Sequence, residues 1–374
     1  MSLKSLVLCS DEKILRVLRR TLGDLDIEVE LCPNSEAALR KLTRQRFEAI
    51  VVDCSDSGAP EVLRSSRSAL WNQRTIAVAI VDSTAGLRSI FDLGAHFVLY
   101  KPVSSERARS SFRAARALMK RERRRNFRVP INISVLIQED SSASTLKVTT
   151  IDLSEGGMAI KLPKRTRRKG RCQIHFTLPG GNSPLALDAE IAWEGSAAQS
   201  GLRFLDVPLG AATQLREWLK HNSPESEQDD PPVQCRLTDL SLRACYLEVS
   251  SPFPISTRVT LSMKAAGVQV SAQGVVRVMH PDKGMGVEFT HGTPEQSAAV
   301  EKFLNLLTAN REIQPELWVE PEGLEERAAA SSSAPGEQPD DPLLKLFCTQ
   351  SVMLPEAFFD ELRKQRGAAT PASA

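Results

Sequence analysis

Long apolar runs are missing from this chain. No stretch of its 374 residues approaches the ~20 consecutive apolar side chains that a membrane-spanning helix needs. The N-terminus, MSLKSLVLCSDEK, holds one short apolar run that meets an acid at once, which is too brief for a secretory signal core. Cysteine pairs are missing too. Cys9, Cys32, Cys54, Cys172, Cys235, Cys245 and Cys348 are scattered, odd in number and without a C-x-x-C spacing, so reduced thiols in a cytoplasmic protein are expected. Net charge is close to absent: 48 Lys and Arg against 46 Asp and Glu leave +2, a balance that names no partner. Catalytic signatures are equally scarce. There is no Walker loop, no G-x-S-x-G and no dinucleotide fingerprint, and His96, His175, His221, His280 and His291 fall at no metal-ligand spacing. A non-enzymatic protein is expected.

A hydrophobic content of 41% supports folded cores, and the length suggests two or three domains. Over residues 1–120, short apolar strands alternate with amphipathic helices. Leu6–Cys9, Val29–Leu31, Ala49–Val52, Ile76–Val81 and Phe97–Tyr100 read as five strands, which predicts a parallel sheet covered on both faces. From Arg128 the period becomes two. Ile131, Ile133, Val135 and Ile137 alternate with partners, as do Ile174, Phe176 and Leu178. Leu185, Leu187, Ala189, Ile191 and Trp193 are expected to face one way together. This is antiparallel sheet with enough strands to close a small barrel, followed by a helix near Leu209–Lys220.

A repeat then appears. Asp152-Leu153-Ser154 recurs as Asp239-Leu240-Ser241, and Gly201-Leu202-Arg203-Phe204 as Gly286-Val287-Glu288-Phe289. The spacing from Asp152 to Phe204 is 52 residues and from Asp239 to Phe289 it is 50, so the second unit is a degenerate duplicate of the first. The expected boundaries are 1–120, 121–222, a polar linker over 223–232, the duplicate over 233–310, and a flexible acidic tail over 311–374 with a short helix at 355–366.

In the first domain, Asp11 follows the first strand, Asp53 ends the third and Lys101 follows the fifth. Carboxyl ends of strands converge on one edge of such a sheet. Two carboxylates there would hold Mg²⁺ through hard oxygen ligands. This layout resembles a response-regulator receiver domain over about 120 residues. The resemblance implies that Asp53 is a candidate phosphoacceptor, Asp11 a metal acid and Lys101 the lysine of the site. The pattern departs from the family at Ser10, where a second acid is expected, and at Val81, where a hydroxyl is expected. A pseudo-receiver that serves for docking is therefore the favoured reading over a phosphorylated one.

The second domain opens on Arg124-Arg125-Asn126-Phe127-Arg128, an R-x-x-x-R before the first strand. Twenty-four residues after Arg128 comes Asp152-Leu153-Ser154-Glu155-Gly156-Gly157, a D-x-S-x-x-G. Guanidinium groups bind phosphate bidentately and stack on bases. Asp and Ser suit the donors of a guanine edge, and Gly157 permits a tight turn or close approach. The two motifs together resemble a PilZ domain, the bacterial receptor module for cyclic di-GMP. The resemblance implies ligand binding by Arg124, Arg125, Arg128, Asp152, Ser154 and Gly157. In the duplicate, Ala244 replaces the glycine and no arginine pair precedes Asp239, so binding is not expected there.

The expected fold is multidomain: an α/β receiver-like doubly wound parallel sheet, then two small antiparallel PilZ-like β-barrels, each with a C-terminal helix. The expected function is a cytoplasmic cyclic di-GMP receptor that turns ligand binding into domain rearrangement and control of a protein partner. That partner would be met through the receiver-like domain, the second barrel or the tail. The alternatives are a ligand-independent interaction scaffold and a phosphorylation-driven, DNA-binding response regulator. The basic run Lys161–Arg171 could attract nucleic acid through counterion release, but no DNA-binding motif accompanies it, and it is read as a solvated loop.

Overall fold

The computed structural model describes residues 2–69, 72–82, 87–125, 127–139, 145–162, 170–181, 183–195, 198–205, 207–222, 230–290, 294–310, 313–325, 341–349 and 355–368. The linker residues 223–229, the middle of the second basic run at 163–169, and residues 326–340 lie outside them. The chain forms two compact units. One comprises Met1–Glu122 together with Asp230–Ala374, and the other is Arg123–Asp229.

The first part of the larger unit runs β1 (Leu3–Leu8), α1 (Glu12–Gly23), β2 (Ile27–Cys32), α2 (Ser35–Arg44), β3 (Ala49–Asp53), α3 (Ala59–Ser68), β4 (Ile76–Val81), α4 (Leu87–Asp92), β5 (Phe97–Tyr100) and α5 (Ser105–Arg125). All strand pairings are parallel, in the order β2-β1-β3-β4-β5. Every residue of β3 and β4 is buried, as befits central strands covered by helices on both faces. This is the doubly wound order whose ligand crevice opens between β1 and β3, where the winding reverses. The receiver-like expectation holds.

The smaller unit contains β6 (Val129–Pro130), β7 (Ser134–Glu139), β8 (Thr145–Ser154), β9 (Gly157–Lys161), β10 (Arg171–Phe176), β11 (Leu185–Glu194), β12 (Gln199–Leu205) and α6 (Leu209–Asn222). The long strand β8 pairs with both β7 and β9, which closes β7, β10, β11, β12, β9 and β8 into a ring, and β6 lies along β8. Val135, Ile137, Ile174, Leu187 and Phe204 fill the interior together with Leu215 and Leu219 of α6. One expectation is corrected here. Trp193 does not continue the inward row of β11. A register shift between Ile191 and Trp193 turns it outward, 43% exposed, because a bulge re-aims the side chains that follow it.

The larger unit resumes with β13 (Val233–Leu240), β14 (Ala244–Glu248), β15 (Thr257–Ala265), β16 (Val268–His280), β17 (Gly284–Phe289), α7 (Pro294–Ala309), β18 (Glu316–Leu324), α8 (Pro342–Thr349) and α9 (Pro355–Ala368). Six of these strands close a second barrel in the order β13-β14-β17-β16-β15-β18. Here the tail expectation needs correction. Strand β18 lies within the segment read as flexible, yet it pairs with both β13 and β15 and buries Leu317 and Val319 inside the barrel. Its acids, Glu316, Glu320 and Glu322, made the segment look unfolded, although an alternating strand needs only its inward positions apolar. The two helices beyond it are packed as well. Leu343, Leu344, Leu346, Phe347, Phe358 and Leu362 join Ala244, Tyr246 and Val278 in one buried cluster.

Receiver-like sheet and second barrel share a core. A continuous set of buried side chains runs from Val51 and Val78 through Phe112 and Leu118 of α5 to Leu261 and Val287. Charged side chains of α5 are buried at the same junction, where each needs a partner. Arg121 Nη2 lies 3.3 Å from Glu322, Leu324 N donates to Glu122 at 2.7 Å, and Lys120 Nζ lies 2.8 Å from Asp230. Among the described residues, no helix is long and apolar enough to cross a membrane.

Candidate functional site

On the first barrel, β8 and β9 are joined by Glu155 and Gly156. Ser154 Oγ is buried and donates to Gly157 O at 2.9 Å, and Phe204 N donates to Gly156 O at 2.9 Å. A Cβ on Gly157 would lie 2.1 Å from Leu202 O on β12. The glycine is therefore demanded by a neighbouring strand, and Ser154 spends its proton inside the turn. These two motif residues build the corner that holds Asp152.

Asp152 follows a register shift in β8 and is partly exposed. Arg128 enters from the other side, one residue before β6, which pairs Val129 and Pro130 with Leu153 and Asp152. Arg128 Nη1 donates to Asp152 Oδ1 at 2.6 Å, and Ala159 N donates to the same oxygen at 3.2 Å. Arg128 Nε and Nη2, and Asp152 Oδ2, make no further hydrogen bond among the described residues. Arg124 and Arg125 sit in the last turn of α5, whose three consecutive arginines suit the negative end of the helix dipole. Phe127 N donates to Arg124 O at 3.0 Å, so the chain turns directly from that helix toward β6. A depression of about 450 Å³ opens alongside, lined by Pro130, Ile131, Thr150 and Lys161 among others.

Sequence reasoning missed Trp193 at this face. Strand register aligns Asp152 with Ala159, Ala159 with Gly201, and Gly201 with Trp193. The indole Nε1 lies 2.0 Å from where a Cβ on Gly201 would be, so the missing side chain makes its seat. The signal was present in the D-x-S-x-x-G and G-L-R-F motifs, but only pairing puts them in one row.

The crevice of the receiver-like sheet holds Asp53, which is buried at the end of β3. Lys101 Nζ lies 2.8 Å from Asp53 Oδ1 and donates to Ser55 Oγ at 2.7 Å, while Ser55 Oγ reaches Asp82 at 3.1 Å. Burial by itself would raise the Asp53 pKa. Lys101, the Ser55 amide and the Cys9 thiol outweigh it and hold the carboxyl below its usual range. Asp11, the acid expected beside Asp53, serves the start of a helix. It is exposed and caps α1, where its Oδ1 accepts from Lys13 N and Ile14 N at 2.7 and 3.2 Å. The group facing Asp53 is Cys9, whose Sγ lies 3.6 Å from Oδ2 and whose pKa is pushed up to about 11, chiefly by burial. The physical reason is position: Cys9 directly follows β1, whereas Asp11 has already entered the helix start.

This donor set does not fit Mg²⁺, which demands oxygen ligands. Asp53 is engaged by an ammonium group, its neighbour is a protonated thiol, and the second acid is committed to a helix cap. Among the described residues, no three His, Cys, Asp or Glu side chains converge as a metal site.

The second barrel repeats the first corner. Ser241 Oγ donates to Ala244 O at 3.1 Å and Phe289 N donates to Arg243 O at 2.8 Å, as Ser154 and Phe204 do in the first. Residues 122–221 and 222–306 each match the family model of the PilZ domain. The chain carries two PilZ domains. Joined to a receiver-like domain, they make it a signalling protein. Similar solved structures include the chemotaxis response regulator CheY4 of Vibrio cholerae, at 22% identity over 31% of this chain and 99% of that one, with a TM-score of 0.29. The receiver domain of a Pseudomonas aeruginosa PAO1 sensor histidine kinase is similar at 20% identity over 32% and 99%, TM-score 0.29. The PilZ domain of CeSA from a cellulose-synthesising bacterium is similar at 21% identity over 26% and 97%, TM-score 0.22. No curated protein matches the chain.

Proposed function

We propose that this protein is a bacterial cyclic di-GMP receptor whose ligand binds the first PilZ domain and acts on the end of α5. The observation that carries this reading is the 2.6 Å contact between Arg128 and Asp152, one residue from each motif. Two nitrogens of the Arg128 fork remain to meet a phosphate, and Asp152 Oδ2 remains to accept from a guanine edge. Arg124 and Arg125 supply further cations, and Ser154 and Gly157 hold the corner. Arg124 and Arg125 end the helix whose earlier residues, Arg121 and Glu122, are locked to β18, so ligand capture pulls on a helix anchored at the adjacent turn. Calorimetric titration of the full chain with cyclic di-GMP should give saturable binding of one ligand unit per first PilZ domain. Heat no different from that of a simple nucleotide at equal charge would sink the assignment.

The receiver-like domain, in this reading, works without phosphotransfer. With Cys9 facing Asp53, Lys101 paired to Asp53 and Asp82, and Asp11 capping α1, the carboxylates are engaged in ion pairing and capping in place of the metal that such transfer uses. Incubation with acetyl phosphate and Mg²⁺ should therefore leave the intact mass unchanged. A stoichiometric, magnesium-dependent phosphoryl adduct that disappears in Asp53→Ala would overturn it.

A further inference from the structure

The rings of the two PilZ barrels correspond position by position, with β18 in the place of β7, and the comparison isolates two differences. In the first, a cross-strand row runs Asp152, Ala159, Gly201, Trp193. In the second it runs Asp239, Tyr246, Gly286, Val278. Register shifts precede the first and last member of the row in both barrels. The same surface has thus been built twice. On the first barrel Trp193 supplies its own cover for the glycine and keeps 43% of its surface exposed.

On the second barrel the tryptophan position is Val278, too small to cover Gly286, and the cover comes from elsewhere in the chain. Phe347 of α8 takes the place of the indole, with its ring 2.4 Å from where a Cβ on Gly286 would be. Tyr246, standing where the first barrel has Ala159, is only 2% exposed. Phe358 and Phe359 of α9 lie 5.6 and 5.9 Å from its ring, and its hydroxyl meets His280 Nδ1 at 3.0 Å. Both changes act in one direction. Enlarging Ala159 to tyrosine fills the space beside the acid, and shrinking Trp193 to valine opens a seat for an incoming aromatic ring.

We propose that this face of the second PilZ domain is a docking site for a pair of amphipathic helices, and that α8 and α9 are its built-in occupant. A surface laid out as on the nucleotide-binding barrel has become a protein-binding one. The occupant packs through Phe347 over Gly286 and Phe358 over Tyr246, and its attachment through residues 326–340 makes the docking intramolecular. The docking does not depend on cyclic di-GMP binding by the first barrel.

The test uses the full chain with a protease site inserted between Ala330 and Ser331, cut after folding. The released segment should stay with the remainder through gel filtration at micromolar concentration. Gly286→Ala should weaken retention at least tenfold, since the new methyl meets only the Phe347 ring within its nearest contacts. Phe347→Asp, changed on the segment rather than the barrel, should release it as well. Elution of the wild-type segment apart from a folded remainder would overturn the proposal, as would equal retention of both variants. Collapse of the cut protein into aggregate would overturn it too, because the helices would then be an integral part of the core rather than an occupant.

Discussion

Arg128→Ala should weaken cyclic di-GMP binding by about 10- to 150-fold, the equivalent of losing a charged hydrogen bond of about 1.5–3 kcal/mol. Arg128 already lies at the corner where the two motifs meet, so the loss removes a placed group and not merely a charge. Arg128→Lys should recover little, because an ammonium group cannot hold Asp152 with one nitrogen and offer a planar pair to phosphate with the others. Asp152→Ala should weaken binding through both its missing acceptor and the released Arg128. Asp239→Ala, in the second barrel, should leave affinity unchanged. Neutralising Lys164, Arg165 and Arg167 should change affinity modestly and mainly through its salt dependence. Calorimetry across this series separates a built site from general attraction. If the lysine–arginine cluster variant loses as much as Arg128→Ala while Asp152→Ala binds more tightly, positive charge alone accounts for the binding.

Acid should loosen the larger unit through His280. This imidazole is 3% exposed, bonded to the Tyr246 hydroxyl, and flanked by the rings of Phe358 and Phe359. Burial, assisted by the Lys283 charge, pushes its pKa down from 6.5 to about 4. The unfolded chain therefore takes up a proton at a pH where the folded chain does not. The contribution of neutral His280 is complete above pH 6.5 and is lost as pH falls through that window to about 4. A displacement of this size corresponds to about 3 kcal/mol. Denaturant titrations at pH 7 and pH 4.5 should show that loss in the wild type and a smaller one in His280→Phe. An equal loss in both would place the acid sensitivity in the carboxylates instead. Hydrogen exchange should report the same loosening in α9, whose two phenylalanines touch the ring.

Local pattern carried a long way in this chain. Five apolar runs separated by amphipathic helices specify a parallel sheet because a strand covered on both faces has no polar side to show. Alternation in β7, β10 and β15 marks half-buried antiparallel strands for the converse reason. The repeated D-L-S and G-x-x-F segments, spaced alike, identified a duplicated barrel before any pairing was known. Residues such as Gly157 were legible as special, but not for what. Sequence suggested a ligand, whereas the neighbouring carbonyl of Leu202 is what excludes a side chain.

Other features depended on contacts that no local window contains. Asp11 and Cys9 are two residues apart, and only the exact end of β1 decides which of them faces Asp53. Trp193 belonged to an apparently inward row until a single register shift turned it outward, because side chains along a strand change face with every residue gained. Strand β18 and helices α8 and α9 looked like tail since acids interrupt β18, charged residues crowd α9 and a Ser-, Pro- and Ala-rich stretch lies between, while burial is decided by the few positions that touch the barrel. The amino-acid sequence by itself determined the order of domains, the duplication and the identity of both motifs, since these rest on periodicity and spacing. Only the tertiary structure decided that Arg128 meets Asp152 and that the second barrel is closed by β18 and covered by helices. Those facts arise from pairing between distant segments, where the energy lies in shape and contact rather than in residue type.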